Sequence, residues 1–365
     1  MSNVSYLKKL TIMSSKNKNN KLWDATDNVE YVFINESLFN FHLLGYISIT
    51  DGGNWLEKLP INTNSYIVLD FSSKDRNDVS LTFRVTGVTG VSKKDISNKR
   101  YNIQFVSPEA VDNFNVRISK GYAGPSTAIV TNALSRITSK NILLSKTQDD
   151  AKLLAANMHP YKVIDLLNLY GSKNCYDFIL WENFRGLNYH RITELLNRPA
   201  TAELYEKDLD NVSESEVIKN PDYMEDKTCI FKYYQENQDN LIECLREGEI
   251  GNSTYTYNSL NGMPYNYNVN EANKENIVYH FNEDTLNYQN YGSRHKMLND
   301  LITREILVTA NGDYNRCTGD MCFVKMAGRS QDAEYTSSLS GNFLIIRIQH
   351  EFTLAGYKQT IGLSR

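Results

Sequence analysis

The sequence is short of cysteine, of long apolar runs and of export signals, and each shortage excludes a class of protein. Only 5 of the 365 residues are cysteine. An odd count without a secretory signal argues against a disulfide framework. No apolar run approaches the ~20 residues that a helix needs to cross a bilayer. The N-terminal residues lack the basic and apolar regions of a secretory signal, so we expect folding in a cytoplasm.

The chain also lacks an excess of either charge. It has 39 Lys and Arg against 43 Asp and Glu, a formal net charge of −4. A broad nucleic-acid-binding surface is therefore not expected, although a local basic patch stays open. Hydrophobic residues make up 41% and charged residues 22%, which excludes wholesale disorder. At ~100–200 residues per domain, the length predicts two or three domains.

Tyrosine is the abundant aromatic residue, with 24 Tyr against 14 Phe and 3 Trp. Its ring packs in half-buried β positions and interfaces while its hydroxyl stays in water. Prolines number only 7, and asparagine is frequent in the turn-like stretches. This composition favours a β-rich chain with many polar turns and indicates no particular enzyme class.

Strand-like alternation dominates residues 1–112. In residues 45–51, Ile47 and Ile49 fall on one face and Ser48 and Thr50 on the other. Asp51-Gly52-Gly53 then predicts a turn with positive φ. Further strands are predicted over residues 5–13, 29–34, 66–71, 81–86 and 101–105, with a polar loop at 16–21. Several short strands separated by turn residues indicate a barrel or sandwich.

The apolar period changes in residues 113–200, which we interpret as a mixed α/β middle domain. Ser126 is the predicted cap of a helix, and Pro160 the predicted start of a second one. The first helix places one apolar stripe on Ile129, Val130, Ala133, Leu134 and Ile137. A strand over residues 176–181 follows, with a turn at 182–186 and a partner strand from Leu187.

Residues 201–365 begin with an acidic connection and return to β patterns. Helices are predicted over 237–246 and 294–301, and two strands within 251–270 around Asn261-Gly262. Four more strands are predicted over 305–310, 321–326, 343–352 and 357–363, with a hairpin at Asn311-Gly312-Asp313. The order β, α/β, β predicts a β-rich α+β fold. Two β-barrel domains, residues 1–112 and 201–365, would then flank the middle domain.

We predict no catalytic, cofactor-binding or metal-ligating residues. Residues 87–93 lack the Gly-Lys-Ser/Thr ending of a phosphate loop, and no hydrolase elbow or zinc-protease motif occurs. His42, His190 and His350 lie beside apolar runs, where histidine is usually packed or exposed rather than catalytic. Cys317 and Cys322 are too widely spaced for a zinc knuckle and no second pair follows, so two ordinary strand cysteines are the default.

The acidic pairs in the polar stretch after residue 201 have two interpretations. Glu203 with Glu206 and Asp208 with Asp210 lie in a polar stretch, and a solvated charge run is the interpretation that we favour. A carboxylate pair assembled in space, as glycosidases need, stays open at this stage.

Several segments, taken in order, carry a resemblance to a known family. The first ones are residues 29–34, Asn35-Glu36-Ser37-Leu38-Phe39, residues 45–51, Leu59-Pro60-Ile61, residues 101–107 and residues 117–122. In this order they resemble the central baseplate hub proteins of contractile-tailed bacteriophages. Residues 176–183 with Gly186 are similar to a strand and turn of that family's middle domain. Residues 340–352, preceded by Gly312-Asp313 and Gly319-Asp320, are similar to its penultimate hairpin strand. Their order and spacing carry the resemblance, which is weakest at residues 201–240.

The resemblance implies a structural virion protein and not an enzyme. In such hubs, two related tube barrels are joined by intermediate domains, and three copies form a ring of six barrels. This homotrimer joins the sixfold tail tube or distal tube proteins above to the threefold central spike below. Tape measure and baseplate wedge proteins are further candidate partners. DNA passes only in transit, no cofactor or stable membrane binding is implied, and the ring lies in the virion tail baseplate after assembly in the host bacterial cytoplasm.

Three alternatives stay open beside the phage hub. They are the hub of a non-phage contractile injection system, a cell-wall hydrolase and a carbohydrate-binding tail protein. A hydrolase domain would have little room beside two barrels and a middle domain in 365 residues. A carbohydrate-binding module would show a groove lined by Tyr or Trp.

The resemblance also sets an expectation for the wall of a DNA channel. Lys or Arg contacts with phosphates would bind DNA strongly and retard its passage, so we expect a polar to acidic lining. The alternation of the strands permits Ser48, Thr50, Thr82 and Thr86 to face away from a packed interior.

Overall fold

The fold is given by a computed structural model that describes most of the chain. The described residues are 6–14, 22–59, 61–73, 76–93, 98–147, 149–171, 177–206, 228–235, 253–257, 264–268, 277–279, 294, 297–298, 300–302, 305–326, 339–353 and 356–365. The predicted loop at 16–21, the predicted helix at 237–246 and the turn at Asn261-Gly262 lie outside them. In this part of the chain, no helix combines the length and apolar character needed to cross a membrane.

Seven strands build the first β region. They are β1 (Tyr6–Met13), β2 (Leu22–Asp24), β3 (Val29–Ser37), β4 (Leu44–Asp51), β5 (Tyr66–Ser73), β6 (Arg76–Lys93) and β7 (Lys99–Val106). Antiparallel pairing gives the order β3-β4-β7-β6-β5-β1-β2. The predicted alternation is confirmed, because Ile47 and Ile49 are fully buried. The sheet curls around this core, since Phe71 of β5 stacks on Phe352 near the chain's end at 4.5 Å between ring centroids.

The turn after β4 differs from its prediction. The positive φ falls on Asn54, at 56°, and not on Gly52 or Gly53. The Asp51 carboxylate accepts the N–H groups of Gly53 (2.9 Å) and Leu56 (3.1 Å), which holds the chain tightly before the short helix α1 (Trp55–Lys58). The hydrogen bonds of the Asp51 side chain therefore fix the turn so that Asn54 takes the left-handed conformation.

The middle part alternates helices and strands, as predicted. Its elements are α2 (Pro108–Asn115), β8 (Ile118–Gly124), α3 (Ser126–Leu134), β9 (Ile142–Leu144), β10 (Ala151–Met158), α4 (Pro160–Leu166), β11 (Phe178–Asn183), β12 (Gly186–Arg191) and α5 (Ile192–Leu196). A π-helical turn, Leu167–Gly171, follows α4. β8 pairs with β10, and β11, β12 and β9 form a second small sheet. The predicted apolar stripe of α3 is buried.

Ser126 does not cap α3 as predicted. Pro125 occupies the cap position, and Ser126 is the first helical residue. Its N–H lies 3.1 Å from a carboxylate oxygen of Asp149, and its hydroxyl donates to the other oxygen of that carboxylate. An acidic side chain 23 residues away thus satisfies the helix start, which local sequence rules do not anticipate.

The last part forms a closed six-stranded barrel and a small separate sheet. The strands are β13 (Ala202–Glu206), β14 (Cys229–Gln235), β15 (Ser253–Tyr257), β16 (Pro264–Asn268), β17 (Ile277–Tyr279), β18 (Ile306–Asn311), β19 (Met321–Lys325), β20 (Gly341–Thr353) and β21 (Gly356–Ser364). The barrel order is β19-β13-β14-β18-β21-β20, closed by β19 on β20, and β16-β15-β17 is separate. Residues 294, 297–298 and 300–302 are helical. The predicted β-rich α+β class is confirmed, with one closed barrel.

The hairpin predicted at Asn311-Gly312-Asp313 is wrong. β18 pairs with β14 and β21, whereas β19 pairs with β13 and β20, so the two strands are not neighbours. Residues 312–320 instead cross the end of the barrel as a packed loop. A Cβ on Gly312 would lie 2.0 Å from the Tyr357 ring, so the glycine serves close packing and not a hairpin turn.

Candidate functional site: the sheet joining the two β regions

One strand, β20, joins the barrel to the first β region. Its residues 347–353 pair with β21 on one side and with β3 on the other. The hydrogen-bonded ladder therefore runs without interruption through thirteen strands, from β19 to β2. Because backbone pairing is continuous, one face of this sheet presents side chains from both β regions.

We call the pairing of β20 with β3 the junction, and the thirteen-stranded sheet that contains it the joined sheet. Glu36 of β3 is buried at the junction. Its carboxylate accepts the N–H of Phe184 at 3.0 Å and the N–H of Thr318 at 3.0 Å. The Thr318 hydroxyl lies at 3.3 Å and His350 Nε2 at 3.4 Å. These contacts satisfy a fully buried carboxylate. They also tie β3 to the β11–β12 turn and to the loop 312–320.

A polar network continues from His350 into the end of the barrel. His350 Nδ1 lies 2.7 Å from the Tyr357 hydroxyl, and Gln359 Nε2 donates to the same hydroxyl at 2.8 Å. Arg316 Nη1 donates to Gln359 Oε1 at 2.9 Å. Burial lowers the pKa of Arg316 and raises the pKa of Tyr357. The network is interior, so its role is to hold elements together.

The β11–β12 turn closes over the junction through a second set of contacts. Arg185 makes a two-pronged ion pair with Asp320, with both N–O distances at 2.7 Å. The hydrogen bonds with Asp320 raise the pKa of Arg185. Trp181 Nε1 and Asn183 Nδ2 both donate to the Thr318 carbonyl, at 3.2 and 3.1 Å. The middle part is thereby held against the joined sheet.

The opposite face of the sheet carries a row of half-buried aromatic rings. Tyr46 stacks on Phe33 at 5.3 Å and lies 5.7 Å from Tyr31. Burial, and then the Glu351 carboxylate, raise the pKa of Tyr31. The two tyrosines border a concave site of about 610 Å³ that is also lined by Ser48, Asn102, Glu30, Arg100, Ser92 and Gly90.

A bulge in β6 shapes this concave site. The pairing of β6 with β7 shifts register between Thr89 and Ser92, and Gly90 has φ 65°. An extra residue in one strand bends it and re-aims its side chains. Across the site, the Ser48 hydroxyl donates to Asn102 Oδ1 at 2.8 Å.

Two arginines on this face are paired with carboxylates. Arg100 Nε lies 3.0 Å from Glu30, and Arg347 Nε lies 2.5 Å from Glu305. Around these two ion pairs the face is polar and aromatic. Ser48 and Thr50 lie on it, turned away from buried Ile47 and Ile49, as the alternation predicted.

His190 has the geometry but not the basicity of a catalytic base. Its Nδ1 lies 2.6 Å from the Ser145 hydroxyl, and that hydroxyl donates its proton to Glu194. However, Arg198 Nη2 lies 3.0 Å from the same nitrogen. Burial, and then Arg198, lower the pKa of His190 to about 4. A general base acts best with a pKa near the working pH, so this cluster is suited to a structural role.

The other residues singled out in the sequence are dispersed. His42 is partly buried, with a pKa lowered by burial, and His350 belongs to the interior network. Glu203 pairs with Lys325 at 3.2 Å, while Asp208 and Asp210 lie outside the described residues. The sequence predicts no role for two central residues of this site, Arg316 and Glu36, although Glu36 lies within the hub-like segment 35–39. A signal for Glu36 existed, because it follows Val32 and Ile34 on the inward face of β3.

Both cysteines near the junction are buried free thiols. Burial raises the pKa of Cys317, and raises that of Cys322 to about 12. Cys322 lies on β19 as expected, whereas Cys317 lies in the loop 312–320. No group of three metal-ligating side chains is assembled among the residues that the structure describes.

Comparisons with known proteins establish the fold and not a family. No family model matches the sequence, and no curated protein matches it. The fold is similar to the 43 kDa tail protein of prophage MuSo2 from Shewanella oneidensis, with a TM-score of 0.64, 12% identity and 98% of each chain covered. It is also similar to a tail protein from Neisseria meningitidis MC58, with a TM-score of 0.63, 9% identity, and 98% of this chain and 96% of that one covered.

Proposed function

We propose that this protein is a structural component of a tail, the central hub of a contractile-tail baseplate. Three copies form a ring that joins a sixfold tail tube or distal tube proteins to a threefold central spike. DNA passes through the ring without being bound. Tape measure and wedge proteins are further candidate neighbours, and the ring resides in the virion after assembly in the bacterial cytoplasm.

The observation that carries this proposal is the continuous ladder through β20 and β3. It places two strand-built units side by side in one chain, the closed barrel and the curled first β region. Three chains would then supply six such units to a ring. The six units could match a sixfold neighbour, and the three chains could match a threefold one. The end-to-end similarity in fold to two tail proteins supports the same proposal.

The proposed division of the chain is 1–112, 113–200 and 201–365. The apolar clusters favour it in part. One cluster unites the first seven strands, a second unites α3 and α4 with β8 to β12, and a third fills the closed barrel. Phe184 and Phe352 extend the first cluster beyond residue 112, so the three parts would fold as one interlocked unit.

In the ring, the aromatic and polar face of the joined sheet would line the lumen. Two of its arginines, Arg100 and Arg347, are paired with carboxylates, which would weaken their attraction for the phosphates of duplex DNA. The buried Glu36 network would keep this wall in register by fixing β3 and β20 from behind.

The solution mass of the full chain tests the proposal. Native mass spectrometry, with and without the spike protein from the same tail, is expected to give three chains of 41.9 kDa each. Electron microscopy of intact tails should place that ring at the tail tip with threefold symmetry. A monomer under both conditions, or tight binding of the ring to duplex DNA at physiological salt, would contradict the proposal.

A carbohydrate-binding tail protein is the second candidate, because Tyr31 and Tyr46 border the concave site beside polar groups. Stacking of a sugar ring on Tyr46 would need that site to be open to solvent in the assembled protein. Titration of the intact protein with N-acetylglucosamine oligomers, compared with Tyr46→Ala, separates the two functions. Saturable binding that Tyr46→Ala removes would favour this candidate over the hub.

A further inference from the structure

The polar network at the junction has a charged side chain at each end. Arg316 is buried at one end, and Glu36 of β3 is fully buried at the other. Between them lie three more buried side chains, Gln359, Tyr357 and His350. Because every member is withdrawn from water, each donor of this network needs an acceptor inside the protein.

Groups with fixed roles set the orientation of the Gln359 amide. Its Oε1 atom accepts from Arg316 Nη1 at 2.9 Å and from the N–H of Asp313 at 3.2 Å, and both of these groups can only donate. Its Nε2 atom donates to the Asp313 carbonyl at 2.9 Å, and a carbonyl can only accept. The amide therefore cannot be turned around, and Nε2 is also the donor to the Tyr357 hydroxyl at 2.8 Å.

The fixed amide determines the direction of the next contact. Since the Tyr357 oxygen accepts from Gln359, its own proton is available for His350 Nδ1 at 2.7 Å. Burial raises the pKa of Tyr357, so the phenol keeps that proton. Gln359 Nε2 lies 3.3 Å from the same ring nitrogen. Two donors thus face Nδ1 of His350, and this nitrogen serves as an acceptor.

The ring proton of His350 then falls on the side of Glu36. A neutral histidine carries one ring proton, so an accepting Nδ1 places that proton on Nε2. His350 Nε2 lies 3.4 Å from a carboxylate oxygen of Glu36, and no described group offers it a shorter hydrogen bond. With the proton on Nδ1 instead, the Tyr357 hydroxyl would have no acceptor among the described residues. A buried donor without an acceptor is costly.

From these contacts we infer that a one-way relay of hydrogen bonds couples the barrel to the first β region. Each step donates away from the cation and toward the carboxylate, from Arg316 to Gln359, Tyr357, His350 and Glu36 in turn. Hydrogen bonds that point the same way polarise one another, so a break at one step weakens the others. A disturbance in the barrel therefore reaches the two backbone N–H groups that Glu36 holds. The inference goes beyond the proposed ring, because it concerns how the parts of one chain respond to each other.

Nitrogen NMR of the histidine rings tests the proton positions. The full-length protein, labelled with nitrogen-15 histidine, is measured in the solid state at pH ~7.5, where an ordinary histidine with a pKa of ~6.5 is neutral. Nδ1 of His350 should be unprotonated and hydrogen-bonded, with the proton on Nε2. Tyr357→Phe removes the donor, so the Nδ1 signal should move toward that of a ring nitrogen that accepts no hydrogen bond.

Two further variants control and assign this measurement. Tyr101→Phe is the matched control, because Tyr101 is also buried and its hydroxyl donates to a carboxylate, that of Asp51, at 3.2 Å. It should leave the His350 signals in place. Phe184→Leu identifies the same signals independently, because the Phe184 ring stacks on His350 at 4.3 Å.

Hydrogen exchange tests the transmission along the relay. In Tyr357→Phe, the amides of Phe184 and Thr318 should exchange at least about threefold faster relative to the amides that pair β20 with β21. Glu36, and not Tyr357, holds these two amides, so a purely local role of Tyr357 would not change their rates. Tyr101→Phe should leave both rates unchanged.

Three results would overturn the inference. They are a proton on Nδ1 of His350 in the unmodified protein, an Nδ1 signal that Tyr357→Phe does not move, and unchanged exchange of both amides in that variant. If Tyr357→Phe does not fold, the spectrum of the unmodified protein, assigned with Phe184→Leu, still decides the position of the His350 proton.

Discussion

Glu36 and Thr318 are 282 positions apart in the sequence, yet the Glu36 carboxylate accepts the Thr318 N–H at 3.0 Å. The same carboxylate accepts the Phe184 N–H at 3.0 Å. A strand of the first β region, the middle part and a loop of the last part therefore meet at one side chain. Because Glu36 is fully buried, each of these hydrogen bonds is stronger than it would be in water, and an unmade one is costly.

Replacing Glu36 by Gln should destabilise the whole protein. The amide keeps one acceptor but turns an NH2 group toward backbone N–H donors, so a buried donor is left facing another donor. The expected loss is about 2–4 kcal/mol of unfolding free energy, measured by urea denaturation. Glu351→Gln, on the outer face of β20, is the control and should change stability by less than about 0.5 kcal/mol. Equal stability of the two variants would contradict the role given to Glu36.

Two strand glycines should respond oppositely to alanine. A Cβ on Gly45 would lie 2.0 Å from the Phe33 carbonyl oxygen, a backbone atom of the paired strand, whereas on Gly87 the closest atom is Gln104 Oε1 at 3.7 Å. Gly45→Ala should therefore cost at least about 2 kcal/mol, because strand β3 has to move. Gly87→Ala should be neutral or stabilise slightly, since alanine restricts the unfolded chain. Thermal denaturation of both variants tests this difference. Similar melting temperatures for the two variants would refute the close approach of β3 and β4.

His190 should make the fold acid-sensitive. Burial, and then Arg198, hold its pKa at about 4, below the ~6.5 of an exposed histidine. Between these values the unfolded chain binds a proton that the folded chain does not, so stability is complete above pH ~6.5 and falls toward pH ~4. The difference in unfolding free energy between the unmodified protein and His190→Gln should therefore change by about 3 kcal/mol across this window. If the plots of unfolding free energy against pH run parallel for the two proteins, the pKa of His190 is the same in the folded and unfolded chain.

Lys140 should become essential as the pH rises. Its ammonium group lies 2.5 Å from Glu182 and 2.8 Å from Glu109, and both carboxylates are buried. Lys140→Met leaves them facing each other, with an expected loss of about 3–5 kcal/mol at pH 7.5. Burial already raises the pKa of Glu182. Protonation of Glu182 in the folded variant should thus recover stability as the pH falls toward 5.

The control for this prediction is the double variant Lys140→Met with Glu182→Gln. It removes one charge of each sign, so its stability should depend less on pH than that of Lys140→Met alone. A loss in Lys140→Met that is the same at pH 5 and pH 7.5 would contradict the electrostatic account and indicate a packing effect.

The sequence by itself determined most of the strands and the α/β character of the middle part. Alternation in residues 45–51 placed Ile47 and Ile49 in the core, and Pro160 marked a helix start, because these signals depend on side-chain period and local backbone geometry. The order of similar segments also indicated the hub-like fold. What it did not determine was which strands are neighbours: the Asn311-Gly312-Asp313 signal suggested a hairpin where the chain crosses the barrel end instead.

Only the tertiary structure decided the contacts that join distant segments. Asp149 completes the start of α3, Glu36 holds Phe184 and Thr318, and β20 pairs with β3 across more than 300 residues of sequence. Each of these choices depends on burial, which makes an unpaired polar group expensive and selects the partner that can reach it. A pattern along the chain shows which side chains are polar or apolar, but the burial that gives Glu36 its role exists only when all three parts have packed together.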